Sequence, residues 1–280
     1  MHMEINNTAL KEMTLEEVQS LQLVMMSKIH EFCVNRNIRY SLGGGTLLGA
    51  VRHKGYIPWD DDIDIMLPRP DYDSFIKEFA GYDEDLDIQN YFTDPTYPWS
   101  WTRVCNNKTI LYSRHAICGI FIDVFPVDGL PSENVIEDYH KKVLKLKKHV
   151  SYTNKFNEDR IERNGAIRMV KKSIKSILYL GHSRSVNNLE KCLRSYPFET
   201  SNYAGAIIGM YGVKEHMKAE VFKKYITLPF EGYNFMCIAD YDAYLTKHYG
   251  DYMQLPPKEK QVTHHKFKCF WTDKKLIHQV

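Results

Sequence analysis

Two aspartates that stand two positions apart, Asp62 and Asp64, have the residue type and spacing best suited to chemistry in this sequence. The segment 60–65 reads DDDIDI, and its second half alternates acidic with apolar residues, as a half-buried strand does. Side chains alternate across a strand, so both carboxylates project from one face while Ile63 and Ile65 point into the core. This like-charged pair predicts a site for Mg²⁺ or Mn²⁺ with Asp62 and Asp64 as ligands. The alternative is a solvated acidic turn that leads into an edge strand.

A glycine turn stands shortly before the acids, in the segment 43–51, which reads GGGTLLGAV. It predicts a tight turn followed by a short helix. Glycine lets the backbone approach a ligand closely, and the start of a helix offers N–H groups to a phosphate. The residues expected to bind the phosphates of a nucleotide are Gly44, Gly45, Thr46, Arg52 and Lys54. A triple glycine alone is more often a flexible turn, but a phosphate cradle beside a metal site is what phosphoryl transfer requires.

A third acid, Asp123, lies in the otherwise apolar segment 121–126, FIDVFP. An unpaired buried carboxylate is costly, so we expect a partner or a metal for it. Asp123 therefore joins Asp62 and Asp64 as a predicted catalytic and metal-binding residue, acting either as a ligand or as the base that takes a proton. The alternative is an aspartate near the end of a strand that bonds a turn. Asp128 is interpreted as a turn residue, and Arg103 is a possible phosphate or acceptor contact.

The elements that must position these residues indicate an α+β fold. A capping-box pair, Thr14 and Glu17, predicts the start of a first helix, and a hairpin is expected around Glu231 and Gly232. The whole chain, 1–280, is interpreted as one domain. Its core covers about 14–130 and 200–270, and a helical insertion rich in Lys and Arg covers about 132–196.

Composition restricts the class of protein. The 280 residues carry a formal net charge of +2, which argues against a dedicated nucleic-acid-binding role. The six cysteines form no C-x-x-C pair, no run approaches the roughly 20 apolar residues of a membrane span, and the first residues, MHMEINN, do not form a secretory signal. We therefore expect a reduced, cytoplasmic protein, in contact at most with the inner face of the membrane.

Four segments together resemble the LicD family: 44–55 (GGTLLGAVRHKG), 57–65 (IPWDDDIDI), 122–131 (IDVFPVDGLP) and 249–257 (YGDYMQLPP). The resemblance covers most of the chain and implies a nucleotidyltransferase-like mixed β-sheet core flanked by helices. It implies magnesium-dependent transfer of phosphocholine from CDP-choline to a sugar hydroxyl of a cell-surface glycan or teichoic acid precursor, which can be lipid-linked, with release of CMP. Asp62 and Asp64 resemble the metal-binding pair of the family, and Asp123 resembles the third acid of the general nucleotidyltransferase pattern.

Other donors fit the same residues. The phospho-alcohol can instead be that of ethanolamine, glycerol or ribitol, the last as in the related fukutin-like transferases. A true nucleotidyltransferase, which attaches the nucleotide to the acceptor, would use the same glycines and acids. A catalytically inactive scaffold would be expected to have damaged acids, whereas Asp62 and Asp64 are both present.

Two further segments bear on the substrates. A quaternary ammonium is recognised by aromatic faces, and Trp99 and Trp101 would share one face if their segment is extended. These rings are candidates for head-group binding, although packing is the commoner role of any one ring. The segment 166–180 predicts a basic amphipathic helix, which suits either an anionic membrane surface or ordinary docking on the core.

Overall fold

A computed structural model of the protein describes residues 11–94, 97, 99–112, 117–158, 181–262 and 268–272. Its helices are α1 (Leu15–Arg36), α2 (Gly44–Arg52), α3 (Arg69–Phe79), α4 (Ile136–Glu158), α5 (181–193) and α6 (Tyr241–Tyr249). Its strands are β1 (Ser41–Leu42), β2 (Asp64–Pro68), β3 (Leu86–Gln89), β4 (Thr102–Asn106), β5 (Thr109–Tyr112), β6 (Ile117–Cys118), β7 (Phe121–Leu130), β8 (Tyr203–Gly205), β9 (Met217–Lys218), β10 (Tyr225–Phe230), β11 (Tyr233–Ile238) and β12 (Lys268–Trp271).

The central sheet has the strand order β1-β2-β7-β4-β3, and β8 and β9 extend it from the far end of β7. Strands β2 and β7 run parallel, whereas the other described pairs are antiparallel, so the sheet is mixed. The α+β architecture with a mixed sheet is thus confirmed. Strands β5, β6 and β12 form a small second sheet, and β10 and β11 form the hairpin predicted at Glu231 and Gly232.

Helix α1 begins where the sequence predicts. The Thr14 hydroxyl accepts a hydrogen bond from the Glu17 N–H at 3.1 Å, and the Glu17 carboxylate accepts one from the Thr14 N–H at 2.8 Å. This capping box satisfies two N–H groups that a helix start leaves without partners. The apolar face of α1 packs under the sheet, where Phe32 meets Phe79 with ring centroids 5.0 Å apart. Burying each such ring stabilises the fold by roughly 1.5–3 kcal/mol.

A second hydrophobic cluster holds α4 and α5 against the end of the sheet, around Val143, Leu189 and Leu193. It is tied to the main core by Arg69, whose guanidinium donates two hydrogen bonds of 2.6 Å to Asp128. The interpretation of Asp128 as a turn residue is wrong, because β7 continues to residue 130 and buries this carboxylate.

None of the helices in the described part of the chain is long and apolar enough to cross a membrane. The segment 166–180, for which a basic amphipathic helix is predicted, lies outside the described residues.

Candidate functional site

The glycine turn and the acidic segment are joined by backbone hydrogen bonds. The Gly43 N–H donates to the Asp64 carbonyl at 2.9 Å, and the Thr46 hydroxyl accepts from the Asp64 N–H at 2.9 Å. The first turn of α2 is therefore fixed to the first residue of β2. Thr46 is buried, and its oxygen holds this junction together.

The two glycines that open α2 lie directly against the carboxylates. Gly44 has a φ of +48°, and a Cβ placed on it would lie 3.2 Å from Asp64 Oδ2. A Cβ on Gly45 would lie 2.9 Å from Asp60 Oδ2, closer than side chains normally approach. The structure thus places the predicted phosphate cradle beside the predicted metal ligands, and larger residues would displace the acids.

Burial alternates along the segment that leads into β2. Asp60, Asp62 and Asp64 are half-buried, whereas Asp61 and Ile63 are buried. Strand β2 begins at Asp64. The Asp123 N–H also donates to the Ile63 carbonyl at 3.0 Å, so the hydrogen bonding between this segment and β7 begins one residue earlier. The alternating burial is what the predicted one-sided arrangement of Asp62 and Asp64 requires, and Asp60 follows the same alternation.

The structure identifies Asp60 and Asp61 as metal-ligand candidates that the prediction omitted. Asp60, Asp61 and Asp62 each place one carboxylate oxygen within 4.8 Å of the others. The signal was present in the sequence, since the three acids are consecutive. Hard carboxylate oxygens crowded in this way fit Mg²⁺ or Mn²⁺.

The electrostatics of Asp64 support a cation site. Burial and the neighbouring charges of Asp62, Asp123 and Asp60 raise the pKa of Asp64 well above its ordinary value, and Arg103 opposes them. A bound divalent cation would offset this repulsion and favour the ionised carboxylate.

Asp123 has a partner that the sequence did not reveal. Arg103 Nε donates to Asp123 Oδ1 at 2.6 Å, and Nη2 lies 3.3 Å from Oδ2, with both side chains buried. The guanidinium lies between the rings of Trp99 and Phe121, at 3.7 and 3.6 Å from their centroids. Asp123 is therefore neither an unpaired acid nor a residue that bonds a turn, because it sits inside β7 and fixes Arg103 beside Asp64.

The structure does not bring Arg52 and Lys54 to the glycine turn. Arg52 lies at the opposite end of α2, roughly 12 Å from Gly44 at 1.5 Å per residue, and Lys54 follows the end of that helix. Arg52 donates to the Tyr252 carbonyl at 2.7 Å, and the exposed Lys54 donates to the Val51 carbonyl at 3.1 Å.

Trp99 and Trp101 occupy different environments. Strand β4 begins after them, at Thr102, so the shared strand face is not formed. The Trp99 ring stacks on Arg103, whereas the Trp101 ring packs against Phe125 with centroids 5.2 Å apart.

A pocket of about 120 Å³ opens beside Asp64 and Gly44. Its lining is largely apolar and aromatic, with one further acid: Gly43, Met66, Phe125, Ala206, Gly209, Met210, Tyr211, Glu215 and Tyr244 complete it. Tyr211, Glu215 and Tyr244 were not predicted, since they lie far from the acids in sequence. Neither Trp99 nor Trp101 lines this pocket.

Comparison with known proteins places the site in a family. The family described as LicD/FKTN/FKRP, nucleotidyltransferase domain, matches residues 37–170. The chain is 34% identical over 264 residues to the lipopolysaccharide cholinephosphotransferase LicD of Haemophilus influenzae, an alignment that covers 91% of this chain and 97% of that protein. The chain belongs to the LicD family.

Two shorter matches cover a quarter of this chain, over 71 residues each. They are uncharacterized proteins of Rickettsia typhi, at 39% identity over 23% of that protein, and of Rickettsia prowazekii, at 38% identity over 27% of that protein. In this LicD-family chain the glycine turn, the acids, Arg103 and Asp123 all fall inside 37–170, whereas Tyr211, Glu215 and Tyr244 fall outside it.

Proposed function

We propose that this chain transfers phosphocholine from CDP-choline to a sugar hydroxyl of a cell-surface glycan, such as a lipopolysaccharide or teichoic acid precursor, and releases CMP. The observation that carries the proposal is the position of Asp64, which lies against Gly44 on α2 and pairs in register with Asp123 on β7. The similarity to a lipopolysaccharide cholinephosphotransferase supports phosphocholine and a glycan as the substrates.

The acidic residues would hold Mg²⁺ or Mn²⁺ through Asp60, Asp61 and Asp62, whose carboxylate oxygens lie within 4.8 Å of one another, and Asp64 stands beside them as a further candidate ligand. When bound, the ion supplies positive charge to the diphosphate of the donor. Asp123 remains a further candidate ligand, because each carboxylate oxygen has a second lone pair. It is poorly placed to be the base, since both of its oxygens face the Arg103 guanidinium.

The remaining groups bind and orient the donor. The first N–H groups of a helix have no intrahelical partners, so those at the start of α2 are candidates for binding a donor phosphate beside Gly44 and Gly45. Arg103, held by Asp123, adds a fixed positive charge, since Arg103 is paired with Asp123 across β4 and β7 and Asp123 is in register with Asp64 on β2. The acceptor hydroxyl attacks the phosphorus that bears choline, the bond from this phosphorus to the CMP oxygen breaks, and the hydroxyl proton passes to solvent.

The first test is calorimetric titration with CDP-choline, CDP-ethanolamine, CDP-glycerol and CDP-ribitol, with and without Mg²⁺. We expect magnesium-dependent binding of CDP-choline that Asp64→Asn abolishes. Asp138→Asn, at an exposed acid on α4, is the matched control and should bind normally. Tight binding of a different CDP donor would reassign the head group.

The second test is product analysis with CDP-choline labelled in the choline. Label on the glycan together with free CMP supports the proposal. Nucleotide attached to the acceptor would instead identify a true nucleotidyltransferase.

A further inference from the structure

We propose that the pocket beside Asp64 holds the head group of the donor, and that its aromatic rings and Glu215 select a quaternary ammonium. The inference rests on the proposed function. It assigns head-group binding to residues other than Trp99 and Trp101, which the sequence suggested. Neither tryptophan lines the pocket, and the Trp99 ring is occupied by Arg103.

The position of the pocket fits this role. Gly44 and Asp64 form part of its wall, and they also belong to the site proposed for phosphate and metal. A phosphate bound there would direct its substituent into the space between Phe125 and Tyr244.

The size of the pocket favours a small head group over a nucleoside. An apolar cavity of roughly 150 Å³ accommodates benzene. The pocket measures about 120 Å³, and a trimethylammonium-ethyl group has as many non-hydrogen atoms as benzene. Cytidine has nearly three times as many non-hydrogen atoms and exceeds this volume.

The aromatic lining is held in place from behind. The Tyr211 ring meets His248 edge-on at 4.7 Å, and the Tyr244 ring packs on the same imidazole at 4.1 Å. The Tyr211 hydroxyl is hydrogen-bonded to the Tyr249 hydroxyl. Rings fixed in this way lose little conformational entropy when a ligand binds, and aromatic rings attract a quaternary ammonium.

Glu215 supplies acidic oxygens at the wall. Its side chain is buried, Oε2 accepts from the Ala206 N–H at 3.3 Å, and Oε1 lies 3.2 Å from His248 Nε2. The rest of the lining has few polar atoms. Hydroxyl groups of glycerol or ribitol would lose water there without gaining enough partners, which disfavours them relative to choline.

The decisive experiment compares CDP-choline with CDP-3,3-dimethylbutanol, in which carbon replaces the quaternary nitrogen without a change of shape. Calorimetry in Mg²⁺ should show that the wild-type chain prefers CDP-choline by roughly 5- to 30-fold. Glu215→Gln, which retains an acceptor for the Ala206 N–H, should lower this preference severalfold. Phe125→Leu should do the same without touching the buried Glu215–His248 pair. Binding of CDP itself should change less than about twofold in both variants, and thermal melting checks that they fold.

The outcomes separate this inference from the proposed function. Equal binding of the two donors by the wild-type chain overturns the inference but leaves phosphocholine transfer standing. Loss of the preference in Trp101→Leu, with the preference retained in Phe125→Leu and Glu215→Gln, also overturns it. If CDP-choline does not bind, free phosphocholine is titrated instead. Binding that is weakened by Phe125→Leu and Glu215→Gln then supports the pocket and refutes the donor, whereas absence of binding overturns both.

Discussion

Arg103 and Asp123 occupy paired positions on the antiparallel strands β4 and β7, and the guanidinium donates to the carboxylate at 2.6 Å. On its other side Asp123 is in register with Asp64 on the parallel strand β2. A row of negative, negative and positive side chains thus crosses three neighbouring strands. The two acids have opposite electrostatic surroundings, because Asp123 has a buried cation beside it and Asp64 is crowded by other carboxylates.

Removing the two charges should therefore have opposite effects on stability. Asp123→Asn leaves Arg103 buried without its counter-ion, and we expect the free energy of unfolding to fall by about 3–5 kcal/mol. Asp64→Asn relieves repulsion, so in the absence of metal the variant should be as stable as the wild type or more stable. Urea denaturation of both variants in EDTA measures the difference. Equal destabilisation by the two substitutions would contradict the assignment of the charges.

Added Mg²⁺ should stabilise the wild-type chain but not Asp64→Asn. A cation that binds only the folded state adds RT ln(1 + [L]/Kd), or roughly 2.7 kcal/mol at a hundredfold excess over Kd. Melting temperatures in EDTA and in increasing Mg²⁺ test this, with Asp138→Asn as a variant that should respond like the wild type. A response in Asp64→Asn as large as that of the wild type would place the cation elsewhere.

Replacing Gly44 with alanine should have two separable effects, one on the stability of the fold and one on donor binding. Its positive φ would cost an alanine about 1–2 kcal/mol, and the new Cβ would press on Asp64 Oδ2. Gly81 also has a positive φ, of +78°, but nothing lies within 4 Å of its Cβ position. Gly81→Ala should therefore lose stability through backbone strain alone, whereas Gly44→Ala should lose at least as much stability and also the magnesium-dependent binding of CDP-choline. Calorimetry and urea denaturation of the pair check this, and unimpaired binding by Gly44→Ala would remove the turn from the site.

Features set by local chemistry could be predicted from the sequence. The capping box of Thr14 and Glu17 and the hairpin at Glu231 each depend on residues within a few positions of one another. The contact of the glycine turn with Asp64 also spans a short stretch of chain, so the centre of the site was predictable.

Pairings between distant residues could not be predicted in the same way. Arg103 and Asp123 are 20 positions apart, and Arg69 and Asp128 are 59 apart, so only the strand register reveals these ion pairs. The pocket likewise depends on Tyr211, which reaches the acids through the return of the chain beside β7. Arg52 was misplaced because nearness in sequence hides the full length of α2 that separates it from Gly44.

Arg52 should act on the C-terminal part of the chain rather than on the donor. Its guanidinium donates to the carbonyls of Tyr252 and Gln254, at 2.7 and 3.4 Å. We expect Arg52→Ala to speed limited proteolysis near residue 252 while the Kd for CDP-choline changes less than about twofold. A direct phosphate contact would instead cost about 1.5–3 kcal/mol, and hence tenfold or more in Kd. Calorimetry and timed digestion distinguish the two roles.

Lys147 should give the chain a stability that depends on pH. Burial lowers the pKa of Lys147 from 10.5 to about 8, and its ammonium donates to the Ile208 carbonyl behind the pocket. Between these two values the unfolded chain binds more protons than the folded one, so the free energy of unfolding rises with pH from about 8 to 10.5. Below pH 8 the folded state carries the full cost of the buried charge.

Lys147→Met should therefore gain stability relative to the wild type at pH 7, and the gain should shrink toward pH 10. Urea denaturation at both pH values measures the difference, with Lys148→Met, an exposed neighbour on α4, as the variant that removes no buried charge. A gain that is the same at both pH values would show that Lys147 is not penalised by burial.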